Sequence, residues 1–179
     1  MSLYDDAVDV LTRWVPPSDQ QAGLRASYLA HLGTHPDGLS RTCHPDHVTA
    51  STLVVTADRQ RVLLNLHGRY EIWVQFGGHC EPDDESLVSA ALREAEEESG
   101  IEGLRLVGAE PVHLSRHEVR CGPVRPSHHL DVQYVAIAPR DAEPVASLES
   151  LDVRWFDVDA LPDDLEPDLQ TLVWLATRL

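Results

Sequence analysis

Gly77-Gly78-His79-Cys80-Glu81-Pro82-Asp83-Asp84-Glu85, continued by Arg93-Glu94-Ala95-Glu96-Glu97-Glu98-Ser99-Gly100-Ile101, is the stretch on which the rest of the chain turns. It reads as a glycine turn, a short acidic loop, one helix and a glycine stop. Asp83 or Asp84 supplies the expected N-cap, and Gly100 ends the helix in a left-handed conformation. A residue advances about 100° around a helix axis, so Glu94, Glu97 and Glu98 share an arc of roughly 100°. Glu96 points elsewhere. Like charges at this density repel, and they sit near the negative end of the helix dipole, where a cation relieves them. Leu87, Val88, Ala91, Leu92 and Ala95 form an apolar stripe beside them, predicted to pack on a sheet. Three carboxylates at the edge of a buried face are hard oxygen ligands suited to Mg²⁺ or Mn²⁺. Arg93 is spaced to brace Glu97 or Glu85. A solvated acidic face is the plainer reading of a glutamate run. The fixed offsets of Gly-Gly, Arg93 and Gly100 weigh against it.

The segment resembles the signature of the Nudix hydrolases, Gly-x5-Glu-x7-Arg-Glu-U-x-Glu-Glu-x-Gly-U with U apolar. From Glu85 onward the match is complete: Glu85, Arg93-Glu94, Glu97-Glu98, Gly100 and Ile101 all fall in register. Six residues rather than five separate Gly78 from Glu85, and the extra one is assigned to the loop Pro82-Asp83-Asp84, where insertions are tolerated. The resemblance implies an α/β fold, the Nudix-type α/β/α sandwich with a mixed β-sheet. It implies metal contacts from Glu94, Glu97, Glu98 and Gly78, and roles in the reaction for Glu97, Glu98, Arg93 and Glu85. It places Glu81 near the metals as a weaker ligand.

Outward from this stretch, residues 1–45 read as an N-terminal helical extension packed on a Nudix domain of residues 46–179. Ala7, Val8, Leu11 and Trp14 recur at helical spacing until Pro16-Pro17 break the pattern. A second helix is predicted from Asp19 to Leu32, stopped by Gly33. Packing filler, a substrate lid and a homodimer contact are the readings open for this pair. Cys43-His44-Pro45-Asp46-His47 lacks a second ligand pair at zinc spacing and reads as a loop entering a strand. Strands are predicted over residues 49–56, 61–66, 71–76, 104–109, 128–138 and 152–156, with a polar loop over 115–127 and a final helix over 167–179.

His113, His117, Glu118, His128, His129 and Asp131 form a second polar cluster. Alternate strand residues share a face, so His129 and Asp131 point the same way. Phosphate contact, added metal ligation and ordinary hydrogen bonding all remain open for them. His79 is read as a substrate contact or a loop-stabilising group, and Glu118 as a loop acid able to serve as general base.

The net charge of −16 disfavours non-specific nucleic-acid binding and anionic lipid. No apolar run approaches a membrane span. Cys43, Cys80 and Cys121 show no paired spacing and suit free thiols in the cytoplasm. The expected function is metal-dependent hydrolysis of a pyrophosphate bond in a nucleoside diphosphate linked to another moiety, with a small phosphorylated substrate as partner. A non-catalytic Nudix-fold nucleotide sensor is one alternative. An allylic-diphosphate isomerase-like enzyme is the other, and it requires a catalytic cysteine.

Overall fold

The computed structural model describes residues 1–120, 122–148 and 150–179. Cys121 therefore lies outside the described residues. The element order is α1 (Leu3–Arg13), α2 (Asp19–Thr34), β1 (His47–Val55), β2 (Arg61–His67), β3 (Trp73–Val74), β4 (Phe76–His79), α3 (Leu87–Ser99), β5 (Arg105–Leu106), β6 (His113–Val119), β7 (Ser127–Ile137), β8 (Ser150–Asp157) and α4 (Pro167–Ala176). These strands form one mixed sheet. β1 and β7 run parallel at its centre, from His47 opposite His129 to Val55 opposite Ile137. β1 changes partner along its length on its other side. Val54 and Val55 pair with β2, whereas residues 49–52 pair with β4.

Two apolar layers cover the sheet, as the period-2 pattern of β1 requires. Val48 and Ala50 face α3 together with α1 and α2, in a core that includes Leu11, Tyr28, Leu87 and Ala91. Leu53 and Val55 face α4 through Leu169, Leu172 and Val173. The N-terminal helices belong to the same core as the sheet. Gln21 bonds both backbone groups of Leu114, and the Tyr28 hydroxyl donates to the Ser115 carbonyl at 2.7 Å. Asp6 of α1 accepts the Leu87 N–H at the start of α3.

Several local expectations are corrected. Ser86, not Asp83 or Asp84, caps α3, in a reciprocal capping box with Ser89. Gly77-Gly78 is strand rather than turn, paired with Ser51 and Ala50. A Cβ at Gly77 would sit 2.3 Å from the Ser51 Cβ, so only glycine lets β4 approach β1 here. Gly33 lies inside α2, which runs one residue further to Thr34. Residues 115–119 belong to β6 and not to a loop. Gly100 ends α3 at φ 66° as expected.

Candidate active site

The C-terminal half of α3 rims a cleft of ≈ 1220 Å³. Glu94, Glu97, Glu98 and Arg93 form one wall, and Gly77, Gly78 and His79 form the floor. Tyr4, Leu39, Ser40 and Arg41 also line it, so the segment before β1 builds part of the cleft. The volume exceeds the ~300–1,000 Å³ usual for small-ligand sites. It admits an extended diphosphate ester as well as a lone phosphate.

Each glutamate is held differently. Glu94 is largely covered, and its carboxylate lies over Gly78, where a Cβ would stand 2.8 Å from an oxygen. Desolvation raises its pKa; Arg93 opposes this, while the charges of Glu97 and Glu81 add to it. Glu98 accepts the Gly77 N–H at 3.0 Å and faces the Asn65 amide at 3.4 Å. Glu97 is 63% exposed at its side chain and bonds Arg93 at 3.2 Å.

Arg93 organises the loop before the helix. Its Nε and one terminal nitrogen grip both oxygens of Asp84 at 3.0 Å each. It also donates to the His79 carbonyl at 3.1 Å and to Glu94 at 3.0 Å. Asp84, 5% exposed at its side chain, accepts the Glu81 N–H at 2.7 Å as well. The acid paired with Arg93 is thus Asp84, separated from Gly78 by five residues, and not Glu85. Glu85 is exposed, ahead of the Ser86 cap, and does not line the cleft. The extra residue of the motif therefore lies between this acid and the helix rather than between the glycine and the acid.

Glu81 lines the cleft, and its charge is felt at Glu94. Glu118 is an exposed residue of β6, in an adjoining cleft of ≈ 730 Å³ that shares Arg41, His67, Gly77, Gly78, His79 and His129 with the first. Asp131 faces the same way as His129, but its oxygens are taken up. Thr49 Oγ1 at 2.9 Å, Ser51 Oγ at 2.6 Å, Gln75 Nε2 at 3.3 Å and Gln133 Nε2 at 3.1 Å all donate to it. At 2% exposure it ties β1 to β7, with Oδ2 accepting three of these bonds and Oδ1 one. His113 is likewise engaged, by Gln133 at 2.9 Å. Arg41 and His67 line both clefts and went unread in the sequence, where neither carries a motif. Asp84 did carry a signal, its spacing from Gly78.

The carboxylates suit a hard divalent cation. Glu94 is a desolvated acid whose charged form a cation favours, in a cradle that Gly78 leaves open. The three acids do not converge on a point. Mg²⁺ normally keeps several waters and takes only one or two carboxylates plus substrate phosphate oxygens, so an open rim of this kind fits it.

The NUDIX domain family matches residues 45–175. A MutT Nudix hydrolase from Burkholderia pseudomallei is 23% identical, with TM-score 0.55 over 73% of this chain and 97% of that one. A Nudix-family hydrolase from Clostridium perfringens is 24% identical, with TM-score 0.57 over 74% and 94%. The E. coli dihydroneopterin triphosphate pyrophosphohydrolase is 23% identical, with TM-score 0.51 over 63% and 81%. The search of curated proteins gives no match. At these identities the structures show a shared fold. The family match covers most of the chain and includes the acidic helix, so the chain belongs to the Nudix family and is a Nudix-type pyrophosphohydrolase.

Proposed function

We propose that this protein cleaves the pyrophosphate bond of a nucleoside diphosphate linked to another moiety, using Mg²⁺, with Mn²⁺ as a substitute. The carrying observation is one cleft rimmed by Glu94, Glu97, Glu98 and Arg93 and large enough for such a compound. Glu94 and Glu98 are the fixed acids, one over Gly78 and one on the Gly77 N–H. Together with Glu97 and the Gly78 backbone they would hold the ion. A bound divalent ion would neutralise phosphate oxygens and acidify a water.

The protein's own groups do the rest. Glu97 is the most exposed of the three and keeps room to move, so it accepts the proton of the attacking water. The hydroxyl oxygen forms a bond to phosphorus as the bridging P–O bond breaks, and the leaving phosphate takes the electron pair. Arg93 positions Glu94 and Glu97 and locks the 79–84 loop. Arg41 lines the same cleft and supplies a cationic contact for a phosphate. The extension of residues 1–45 serves the Nudix domain of residues 46–179 as a cleft wall. A cytoplasmic setting accords with the free, buried thiols of Cys43 and Cys80.

The isomerase alternative is disfavoured by Cys80. Burial pushes its thiol up to about 12, which leaves it unreactive at neutral pH. The test is a panel of nucleotide sugars, dinucleotide polyphosphates, nucleoside triphosphates and reduced dinucleotide cofactors with Mg²⁺ or Mn²⁺, read by product identity. Hydrolysis of a linked nucleoside diphosphate, lost in Glu97→Gln, supports the reading. A folded protein that cleaves none of them, but binds one, would favour the sensor alternative.

A further inference from the structure

Three histidines from three strands meet beside the cleft floor. His47 opens β1, His129 lies directly opposite it on β7, and His79 ends β4 opposite Thr49. Positions 47 and 49 of β1 share a face, so all three side chains fall on one side of the sheet. Ring centroids are 5.0 Å apart for His47 and His79, 4.9 Å for His47 and His129, and 5.0 Å for His79 and His129. One ligand nitrogen of each lies within 4.8 Å of the other two. Among the described residues no other group of three or more such side chains comes together this closely.

The hydrogen bonding is unusual for a structural cluster. Nε2 of His47 and Nε2 of His129 are buried without a hydrogen-bond partner, although buried polar atoms are normally satisfied. His47 is wholly buried. Its Nδ1 lies 3.1 Å from the Cys43 carbonyl oxygen, which can only accept. The proton therefore resides on Nδ1, and Nε2 keeps its lone pair. A backbone carbonyl orienting an imidazole in this way is the usual support of a metal-ligating histidine. Unpartnered, buried imidazole nitrogens of this kind present lone pairs, so the cluster suits a cation rather than an anion.

We propose that His47, His79 and His129 form a second metal site, for a borderline transition ion of the Zn²⁺ class, distinct from the carboxylate rim. Nitrogen donors suit such ions as oxygen donors suit Mg²⁺. A tetrahedral Zn²⁺ site with bonds of about 2.0–2.1 Å sets its nitrogens roughly 3.3 Å apart, so the three side chains draw together when the ion binds. Three protein ligands leave a fourth position open. His79 and His129 line the cleft, so that position faces it. Arg41 lines the same cleft. Its positive charge favours an anionic oxygen as the fourth ligand. Successive strand residues alternate faces. An ion on His79 therefore anchors the strand end on which Gly78 faces Glu94.

The full-length protein, stripped with chelator and dialysed against Zn²⁺ in millimolar Mg²⁺, is assayed by elemental analysis. Co²⁺ substitution is followed by visible absorption. One retained Zn²⁺ per chain and the intense bands of tetrahedral Co²⁺, without a thiolate charge-transfer band, are expected. His79→Gln and His129→Gln should each weaken Zn²⁺ binding by at least about a hundredfold. Glu94→Gln should leave it unchanged while Mg²⁺-dependent turnover falls, which separates the two sites. Inorganic phosphate should shift the Co²⁺ spectrum, and an unmoved spectrum refutes the open position. No zinc retained by the wild-type protein overturns the site, as does equal retention by folded His79→Gln and His129→Gln. If those variants fail to fold, the wild-type Co²⁺ spectrum decides: octahedral or thiolate-ligated Co²⁺ overturns the proposal.

Discussion

Asp84→Asn, set against Glu85→Gln, tests which acid closes the loop onto the helix. Asp84 receives both Arg93 bonds at 3.0 Å and the Glu81 N–H at 2.7 Å, with a side chain only 5% exposed. An amide retains one acceptor oxygen and turns an NH₂ group toward the guanidinium. One charge-assisted bond, worth about 1.5–3 kcal/mol, is lost, and two donors are left facing each other. Breaking a buried pair typically costs about 3–5 kcal/mol. Arg93 keeps Glu94 and Glu97 as partners, so the low end applies, about 3 kcal/mol. For a chain of this size that lowers Tm by roughly 6–12 °C. Glu85→Gln alters an exposed residue and should stay within about 0.5 kcal/mol of the parent. Urea and thermal unfolding followed by circular dichroism at neutral pH would measure both. An Asp84→Asn protein as stable as the parent, with Glu85→Gln the one destabilised, would refute the pairing and return the motif to its other register. The pH dependence gives a second check. Burial raises the Asp84 pKa, but the bonds from Arg93 and the Glu81 N–H outweigh it and the net shift is downward. A depressed folded pKa contributes stability that is present above the ordinary carboxylate value and lost as pH falls through the folded one. Asp84→Asn should therefore flatten the acid limb of the stability curve below about pH 4.

The two glycines of β4 should separate fold from site. Gly77→Ala drives a Cβ into the Ser51 backbone at 2.6 Å and should cost about 3 kcal/mol from overpacking and strain, read by unfolding midpoint. Gly78→Ala brings a Cβ to 2.8 Å from the Glu94 carboxylate, a side-chain contact rather than a backbone one. It should keep stability while weakening the Mg²⁺ dependence of turnover, seen as a raised half-saturating Mg²⁺ concentration. Glu97→Gln should lower kcat by at least about a hundredfold with an unchanged melting curve, because its side chain is 63% exposed. Tyr28→Phe leaves the buried Ser115 carbonyl without its hydroxyl donor and should cost about 1–2 kcal/mol, measured by urea denaturation.

The sequence by itself determined the acidic helix, because the 3.6-residue period places Glu94, Glu97 and Glu98 on one rim without reference to any other element. It also determined both N-terminal helices, the glycine stop at Gly100 and the central strands, where apolar and β-branched residues carry the pattern. β6 escaped because His113, Ser115 and His117 on one face and Arg116 and Glu118 on the other leave little apolar alternation to read. Only the tertiary structure decided that Asp84 rather than Glu85 meets Arg93, since a one-residue insertion can sit on either side of a loop acid. The fate of Asp131 was likewise settled by Thr49, Ser51 and Gln75, which are distant in sequence and donate to it across the sheet. The meeting of His47, His79 and His129 is of the same kind. Strand register joins residues far apart along the chain, and no local spacing records which of them will stand side by side.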